Sequence, residues 1–326
     1  MSISTTNPVT SVETEIDATI VMKRVAADGV AEIRLSATDG SALPEWAPGA
    51  HVDFILGSGL VRQYSLAGDP GDRSHYRFGV LLDPNSRGGS IEVHETLSAG
   101  EEIRIRGPRN NFTFRNAETY VFVAGGIGIT PLLPMIRSAV ANHANWSLWY
   151  GGRTRSSMAF LEELLAFGER VNVYPEDERG FIPLKEVIAE SGDALVYTCG
   201  PEPLLNAVGG AFEAVGKPTR DLHLERFVAR DVRDITPTGA FEIELVESEL
   251  VLTVPEDQSI VEVAREAGVL VFTSCEEGMC GTCETRVVSG TPVHLDSAKA
   301  PEQHDEDGTM AICVSRCASG RLVLDL

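Results

Sequence analysis

Four of the six cysteines in this 326-residue chain fall into one pattern. Cys275, Cys280 and Cys283 follow each other as C-x4-C-x2-C, and Cys313 lies further on. Four thiolates at this spacing are the ligand arrangement of a plant-type 2Fe–2S cluster. A loop that wraps three sulfurs around one cluster needs an unusually free backbone. Gly278 and Gly281 supply it and let backbone N–H groups turn toward the sulfurs. A zinc ribbon would need two C-x-x-C pairs, and this segment has one. A Rieske centre would need two histidine ligands, and the loop contains none. Cys317, four residues beyond Cys313, competes for the fourth position on spacing alone.

A second group has the chemistry of anion binding. Gly125-Gly126-Ile127-Gly128-Ile129-Thr130-Pro131 directly follows the apolar run Tyr120–Ala124. It is not the G-x-G-x-x-G fingerprint, but glycines still permit a tight turn and close approach of a ligand. Thr130 suits a helix N-cap and Pro131 a first helical position, and the free N–H groups of a helix start attract a pyrophosphate. Cys199-Gly200-Pro201 ends another apolar run, where ligands of open α/β sheets bind. A third group is Arg62-Gln63-Tyr64-Ser65: a charge, a flat apolar face and a hydroxyl. Ser86-Arg87-Gly88-Gly89-Ser90 then makes a second anion-binding turn before a short helix.

The elements that must position these groups change character along the chain. From about Ile16 to Phe114 short strands alternate with turn residues, as in Ala50–Leu56, Val61–Leu66 and Tyr76–Leu82. That spacing predicts an antiparallel barrel, with a helix near Gly89–Leu97. Tyr120–Ala124 is continuously apolar, as a strand buried on both faces must be. Strands at Trp146–Tyr150, Val171–Tyr174 and Ala194–Cys199 then alternate with helices near 130–142, 157–167, 183–189 and 201–214. This order predicts a parallel α/β sheet. A polar stretch follows Leu222–Phe227. Beyond it a hairpin at Phe241–Val246 and Leu250–Val254 and a helix near 260–267 precede the cysteine loop. The domains are expected at 1–115, 116–228 and 239–326, joined by a linker at 229–238.

The formal charge is −21. The last 88 residues carry 17 Asp and Glu against 5 Lys and Arg. Such a chain has no electrostatic affinity for nucleic acid or anionic membrane, and its acidic end can steer a basic partner. No apolar stretch approaches the roughly 18–20 residues needed to span a bilayer. The N-terminus lacks the basic start and apolar core of a signal peptide. A reducing cytoplasm is the expected compartment, where thiolates survive as metal ligands.

Taken in order, Arg62/Tyr64/Ser65, Arg87–Ser90, GGIGITP, CGP and the cysteine loop resemble the phthalate dioxygenase reductase family. These are ferredoxin–NADP reductase relatives with a C-terminal ferredoxin domain, and the resemblance runs from about Ile16 to Leu326. It implies a multidomain fold: an antiparallel β-barrel flavin domain, an α/β parallel-sheet nucleotide domain and an α+β (β-grasp) ferredoxin domain. It implies that Arg62, Tyr64 and Ser65 line an FMN, with Ser65 near the reacting ring. Arg87, Gly88, Gly89 and Ser90 would hold its phosphate, and Thr130 would touch its edge. Gly125, Gly126 and Gly128 would face the dinucleotide, with Cys199 and Gly200 at the nicotinamide. Glu225 and Phe227 would flank the flavin. The segment Cys313-Val314-Ser315-Arg316 resembles the family's fourth-ligand segment, which favours Cys313 over Cys317. His51 is expected to be structural.

Electron counting orders these parts. A nicotinamide yields a hydride, two electrons at once, whereas a 2Fe–2S cluster accepts one. A flavin between them takes both and releases them singly. The hydride step requires no acid–base residue; the protein positions rings and tunes potentials. The resemblance implies NADH as donor. Arg153, Arg155 and Ser156 after the strand ending at Tyr150 could pair with the 2′-phosphate of NADPH, and no acidic residue is visible there to repel it. It also implies a monomer whose acceptor is a terminal Rieske-type or haem-thiolate oxygenase acting on an aromatic or similar small substrate, an O-demethylase system among the candidates. The alternative is an NAD(P)H diaphorase or redox carrier without a dedicated oxygenase.

Overall fold

The computed structural model describes residues 14–83, 88–227, 239–299 and 301–326. Arg87 and the expected linker 229–238 lie outside them. The first unit is a curled antiparallel sheet. In spatial order its strands are Val61–Ser65, Ala50–Ile55, Glu102–Asn110, Glu15–Ala27, Val30–Ala37 and Tyr76–Leu81. Alternation places Ile33, Leu35, Val52, Phe54, Phe78, Val80 and Ile105 in one sealed core. The helix Gly89–Glu95 packs beside it.

The second unit is a five-stranded parallel sheet ordered Leu222–Glu225, Leu195–Cys199, Thr119–Gly125, Asn145–Gly152 and Val171–Pro175. The chain enters at the middle strand, winds outward one way, then returns to the other side. Thr119–Gly125 and Leu195–Cys199 therefore flank the topological switch point, where the loops beyond their carboxyl ends diverge and leave a crevice. Both expected glycine turns, GGIG and CGP, sit at that crevice.

Two local expectations fail. Thr130 does not cap its helix. A 3₁₀ turn over Gly126–Gly128 leads into the helix Ile129–Ala141, so Thr130 is its second residue, and its hydroxyl donates back to the Ile127 carbonyl at 2.9 Å. Pro131 is still tolerated, because the N–H groups of the first turn have no partner within the helix. The helix expected near 157–167 is only Leu161–Leu165. A capped turn at Arg155–Ser157 precedes it, and Phe160 takes a left-handed φ of 60°.

The third unit is a mixed sheet ordered Leu250–Val254, Phe241–Leu245, Arg321–Leu324, Glu284–Ser289 and Thr309–Ala311. Phe241–Leu245 runs parallel to Arg321–Leu324. The helix Ile260–Glu266 crosses it, started by a reciprocal Ser259–Glu262 capping box. Its core runs from Phe241 and Ile243 to Ile312 and Leu322. This is the expected α+β ferredoxin unit. No helix among the described residues is long and apolar enough to cross a membrane.

Ionic joints tie the units together. Arg77 of the first sheet reaches Glu32 at 2.8 Å on its own strand pair and Glu163 of the nucleotide unit at 2.9 Å. Arg137 also pairs with Glu163. Glu32 is fully buried, with Arg24 and Arg34 also on its carboxylate. Its burial is therefore compensated by three guanidinium groups.

Candidate functional site

The cysteine loop supplies the first part of the site. Cys280, Cys283 and Cys313 are buried, and Cys275 is half-buried. The four thiols lie close enough together to perturb one another, Cys275 with Cys280 and Cys283 with Cys313. Backbone N–H groups of Glu277 and Met279 point at Cys275 Sγ from 3.3 and 3.4 Å, and that of Thr282 at Cys280 Sγ from 3.4 Å. Gly278 and Gly281 have φ of 69° and 70°, the left-handed conformation this wrapping needs. The neighbouring Cys275 and the N–H of Thr282 lower the Cys280 thiol from its ordinary value, against the effect of burial. Four thiols with inward-turned N–H donors fit a 2Fe–2S cluster. Cys317 is elsewhere: it lies on Arg316–Cys317, buried, with Sγ 3.4 Å from Ser319 Oγ.

The curled sheet supplies the second part. Tyr64 packs edge-on against Phe54, with ring centroids 4.8 Å apart. Ser65 is buried at the end of the same strand, opposite His51. Arg62 folds over the start of the helix Gly89–Glu95, so closely that a Cβ at Gly89 would lie 2.4 Å from its side chain. That contact explains why residue 89 is glycine. Gly88 follows with φ 92°, and Ser90 Oγ accepts from the Asp83 N–H at 3.1 Å. Arg62, Gly88, Gly89 and Ser90 thus converge, although they come from two separate segments. His51 is buried, and burial together with the nearby Arg109 pushes its imidazole down to about 4. A neutral buried ring matches its expected structural role.

The crevice of the parallel sheet supplies the third part. A Cβ on Gly128 would lie 2.2 Å from the Cys199 carbonyl oxygen, and one on Gly125 would lie 2.7 Å from Pro201 and Leu204. Gly200 in turn approaches Gly125. These glycines let the two turns pack against each other. Gly126, with φ 52°, has open space where its Cβ would stand. Thr130 is buried at the seam, its methyl against Gly79 of the first sheet. Cys199 is fully buried and pairs in register with Glu225 on the neighbouring strand. Burial and the Glu225 carboxylate push the Cys199 thiol up, so it is held as a neutral thiol. Burial raises Glu225 itself to about 8, and its Oε2 has no hydrogen-bond partner among the described residues. Phe227 lies two residues on, partly exposed.

Two functional groupings were not foreseen from sequence. Asp53 is fully buried in the first sheet and accepts from Arg106 at 2.9 Å, from Arg109, and from Ser274 Oγ at 2.6 Å. Ser274 immediately precedes Cys275. Asn111 Nδ2 donates to the Cys280 carbonyl at 2.6 Å and packs against Gly281. The cysteine loop therefore sits directly on the first, curled sheet. An aspartate inside the apolar run AHVDFIL was the available signal, since a charge in a buried strand needs partners. The second grouping is Arg155 with Glu178, joined through two hydrogen bonds of 3.1 and 2.7 Å. Glu178 lies beyond the next strand, out of reach of a local reading.

Comparison with known proteins agrees with this three-part geometry. The 2Fe-2S iron-sulfur cluster binding domain family matches residues 243–318, and the oxidoreductase NAD-binding domain family matches 122–209. A vanillate O-demethylase oxidoreductase of Pseudomonas putida is 39% identical over 317 residues, covering 95% of this chain and 100% of its own. The phthalate 4,5-dioxygenase oxygenase reductase subunit of Pseudomonas putida is 35% identical, covering 94% of this chain and 95% of its own. This chain belongs to the phthalate dioxygenase reductase family. The solved phthalate dioxygenase reductase superposes with a TM-score of 0.69 at 33% identity, over 96% of this chain and 98% of that one. A type IV self-sufficient cytochrome P450 monooxygenase reaches 0.88 at 38% identity, but this chain spans 41% of its length. Like other phthalate dioxygenase reductase relatives, the protein is an oxidoreductase that combines an NAD-binding domain with a 2Fe–2S domain.

Proposed function

We propose that this protein takes a hydride from NADH onto FMN and passes the electrons singly, through the cluster at Cys275, Cys280, Cys283 and Cys313, to a terminal Rieske-type oxygenase. The observation that carries the reading is the joint of Asp53 and Asn111 with Ser274 and Cys280, which seats the cysteine loop on the sheet bearing Arg62, Tyr64 and Ser65. Flavin and cluster sites in contact need no further carrier between them.

In this reading FMN supplies the conversion from two-electron to one-electron chemistry. Arg62, Gly88, Gly89 and Ser90 would hold its phosphate; Arg87, expected from the sequence to share this role, lies outside the described residues. Tyr64 and Ser65 would line the ring and Thr130 would touch its edge, with Phe227 covering the flavin and Glu225 nearby. Cys199 and Gly200 close the nicotinamide pocket with a small neutral surface, so the two rings can approach. Gly125 and Gly128 keep the GGIG and CGP turns together while Gly126 offers open backbone to the pyrophosphate. The donor is NADH, as in the family, and the pairing of Arg155 with Glu178 supports this by giving one candidate 2′-phosphate cation a carboxylate partner. The acidic C-terminal unit steers a basic face of the oxygenase, and the protein acts as a monomer in the cytoplasm. The likeness to the P450 monooxygenase makes a haem-thiolate acceptor the second candidate.

Anaerobic addition of NADH to the purified protein tests the proposal. Bleaching of both flavin and iron–sulfur absorption is expected, and mass analysis of the released flavin should give FMN. Absence of bleaching in either band with both NADH and NADPH refutes it.

A further inference from the structure

The ferredoxin unit holds a second polar cluster that plays no part in the electron path. His294, Asp296 and His304 are buried: their side chains are 5%, 0% and 1% exposed. One ligand atom from each lies within 4.8 Å of the others. We propose that these three residues bind a divalent transition metal of the zinc class.

The hydrogen bonds assign the ligand atoms. His294 Nε2 lies 3.3 Å from Asp305 Oδ1. A carboxylate only accepts, so Nε2 carries the proton and Nδ1 keeps its lone pair. That Nδ1 is buried and has no partner among the described residues. Asp296 Oδ2 accepts from the backbone N–H groups of Ala298 and Lys299 and also faces His304 Nε2, which fixes the carboxylate, while Oδ1 is buried with no partner among the described residues. Two enclosed lone pairs without donors are costly unless a cation meets them. His304 Nε2 faces Asp296 at 3.0 Å, and its Nδ1 faces Thr309 Oγ1 at 3.1 Å. With a metal on Nε2, the neutral imidazole would keep its one proton on Nδ1 and donate that N–H to Thr309 Oγ1.

The surroundings have the form of a metal site's outer shell. A carboxylate behind one imidazole and a hydroxyl behind the other orient the rings. The two rings are immediate neighbours, stacked 4.7 Å apart and 9° from parallel. The neighbouring Lys299 ammonium is occupied by Glu284 and Asp307. Two imidazoles and one carboxylate suit zinc, with a fourth position left to water. The site lies behind the cysteine loop: Ser297 N–H donates to the Gly278 carbonyl at 2.8 Å. A bound ion would fasten residues 294–304 behind that loop.

The test uses the holoprotein with its cluster in place, stripped of loosely held metal and dialysed against zinc chloride. Elemental analysis should find one zinc for each pair of iron atoms. His294→Gln and His304→Gln should each abolish that zinc, and Asp305→Asn should weaken its binding about 10- to 100-fold. Zinc-edge anomalous diffraction from the unsubstituted protein should place the ion among the three side chains, independently of how the variants fold. No zinc in the unsubstituted protein, or an anomalous peak elsewhere, overturns the proposal.

Discussion

Asn111 donates from its side-chain amide to the backbone carbonyl of Cys280 at 2.6 Å. This single bond joins the end of the curled antiparallel sheet to the middle of the cysteine loop. It fixes the loop's position without touching a thiol. Asn111→Ala removes one neutral hydrogen bond, worth about 0.5–1.5 kcal/mol. If the bond is fully expressed in the transfer step, cluster reduction slows about 2- to 10-fold. Anaerobic stopped-flow should show flavin bleaching by NADH unchanged and iron–sulfur bleaching delayed. Equal slowing of both phases would show that the contact is not specific to the second step.

Asp53 carries more of the same joint. Burial alone would raise its carboxyl, but Arg109, Ser274 and Arg106 outweigh that and hold it below the usual carboxylate range. Its contribution is therefore present above the unfolded value near 3.9 and is lost as pH falls through the lower folded value. Asp53→Asn leaves two guanidinium groups without their counter-charge, at a cost of about 3–5 kcal/mol. Thermal melts should show a large drop in stability for the variant at pH 7 and a smaller difference from the parent as acid protonates Asp53.

Glu178 should govern the choice of nicotinamide. Removing it in Glu178→Ala frees Arg155 for a 2′-phosphate. The ratio of kcat/KM for NADPH over NADH should rise severalfold, mainly through a lower KM for NADPH. An unchanged ratio would mean that neither residue faces the adenosine ribose.

Glu225 is raised to about 8 by burial, so it is protonated at neutral pH. A carboxyl raised on folding stabilises the folded state fully below its unfolded value near 4.3, and that stability is lost as pH rises through about 8. The same ionisation should appear as an inflection near 8 in the pH profile of kcat/KM for NADH. Glu225→Gln cannot ionise and should flatten both curves in this range. A persisting inflection would assign the ionisation to another group.

Cys313→Ser should abolish the iron–sulfur absorption, whereas Cys317→Ser should keep it. Cluster loss in the second variant alone would reverse the choice of fourth ligand. The placement of Cys317 beside Ser319 on a separate strand is the reason for expecting only a packing effect there.

Much of the fold was legible because its signals are local. The apolar run Tyr120–Ala124 is continuous since that strand is covered on both faces. The Ala50–Leu56 run alternates more weakly and hid Asp53, whose partners are distant in sequence. Thr130 illustrates the opposite failure. Its residue type favoured a cap, but the preceding glycines fold into a 3₁₀ turn and carry the helix start past it. The helix near 157–167 shrank because Phe160 adopts a left-handed φ and packs against Gly79 across the seam between sheets.

The chemical inventory is written in local patterns of the chain: four cysteines at cluster spacing, two glycine turns after buried strands, and an Arg-x-Tyr-Ser strand. Spacing within a loop or across a strand–turn–helix junction is set by covalent geometry, so it can be read without a fold. How the parts face each other depends on packing between the units. Ser274 and Asp53 are 221 residues apart, and Asn111 and Cys280 are 169 apart. Contacts at such separation leave no periodicity in the chain, because they form only when the cores of two units have closed and brought their surfaces together.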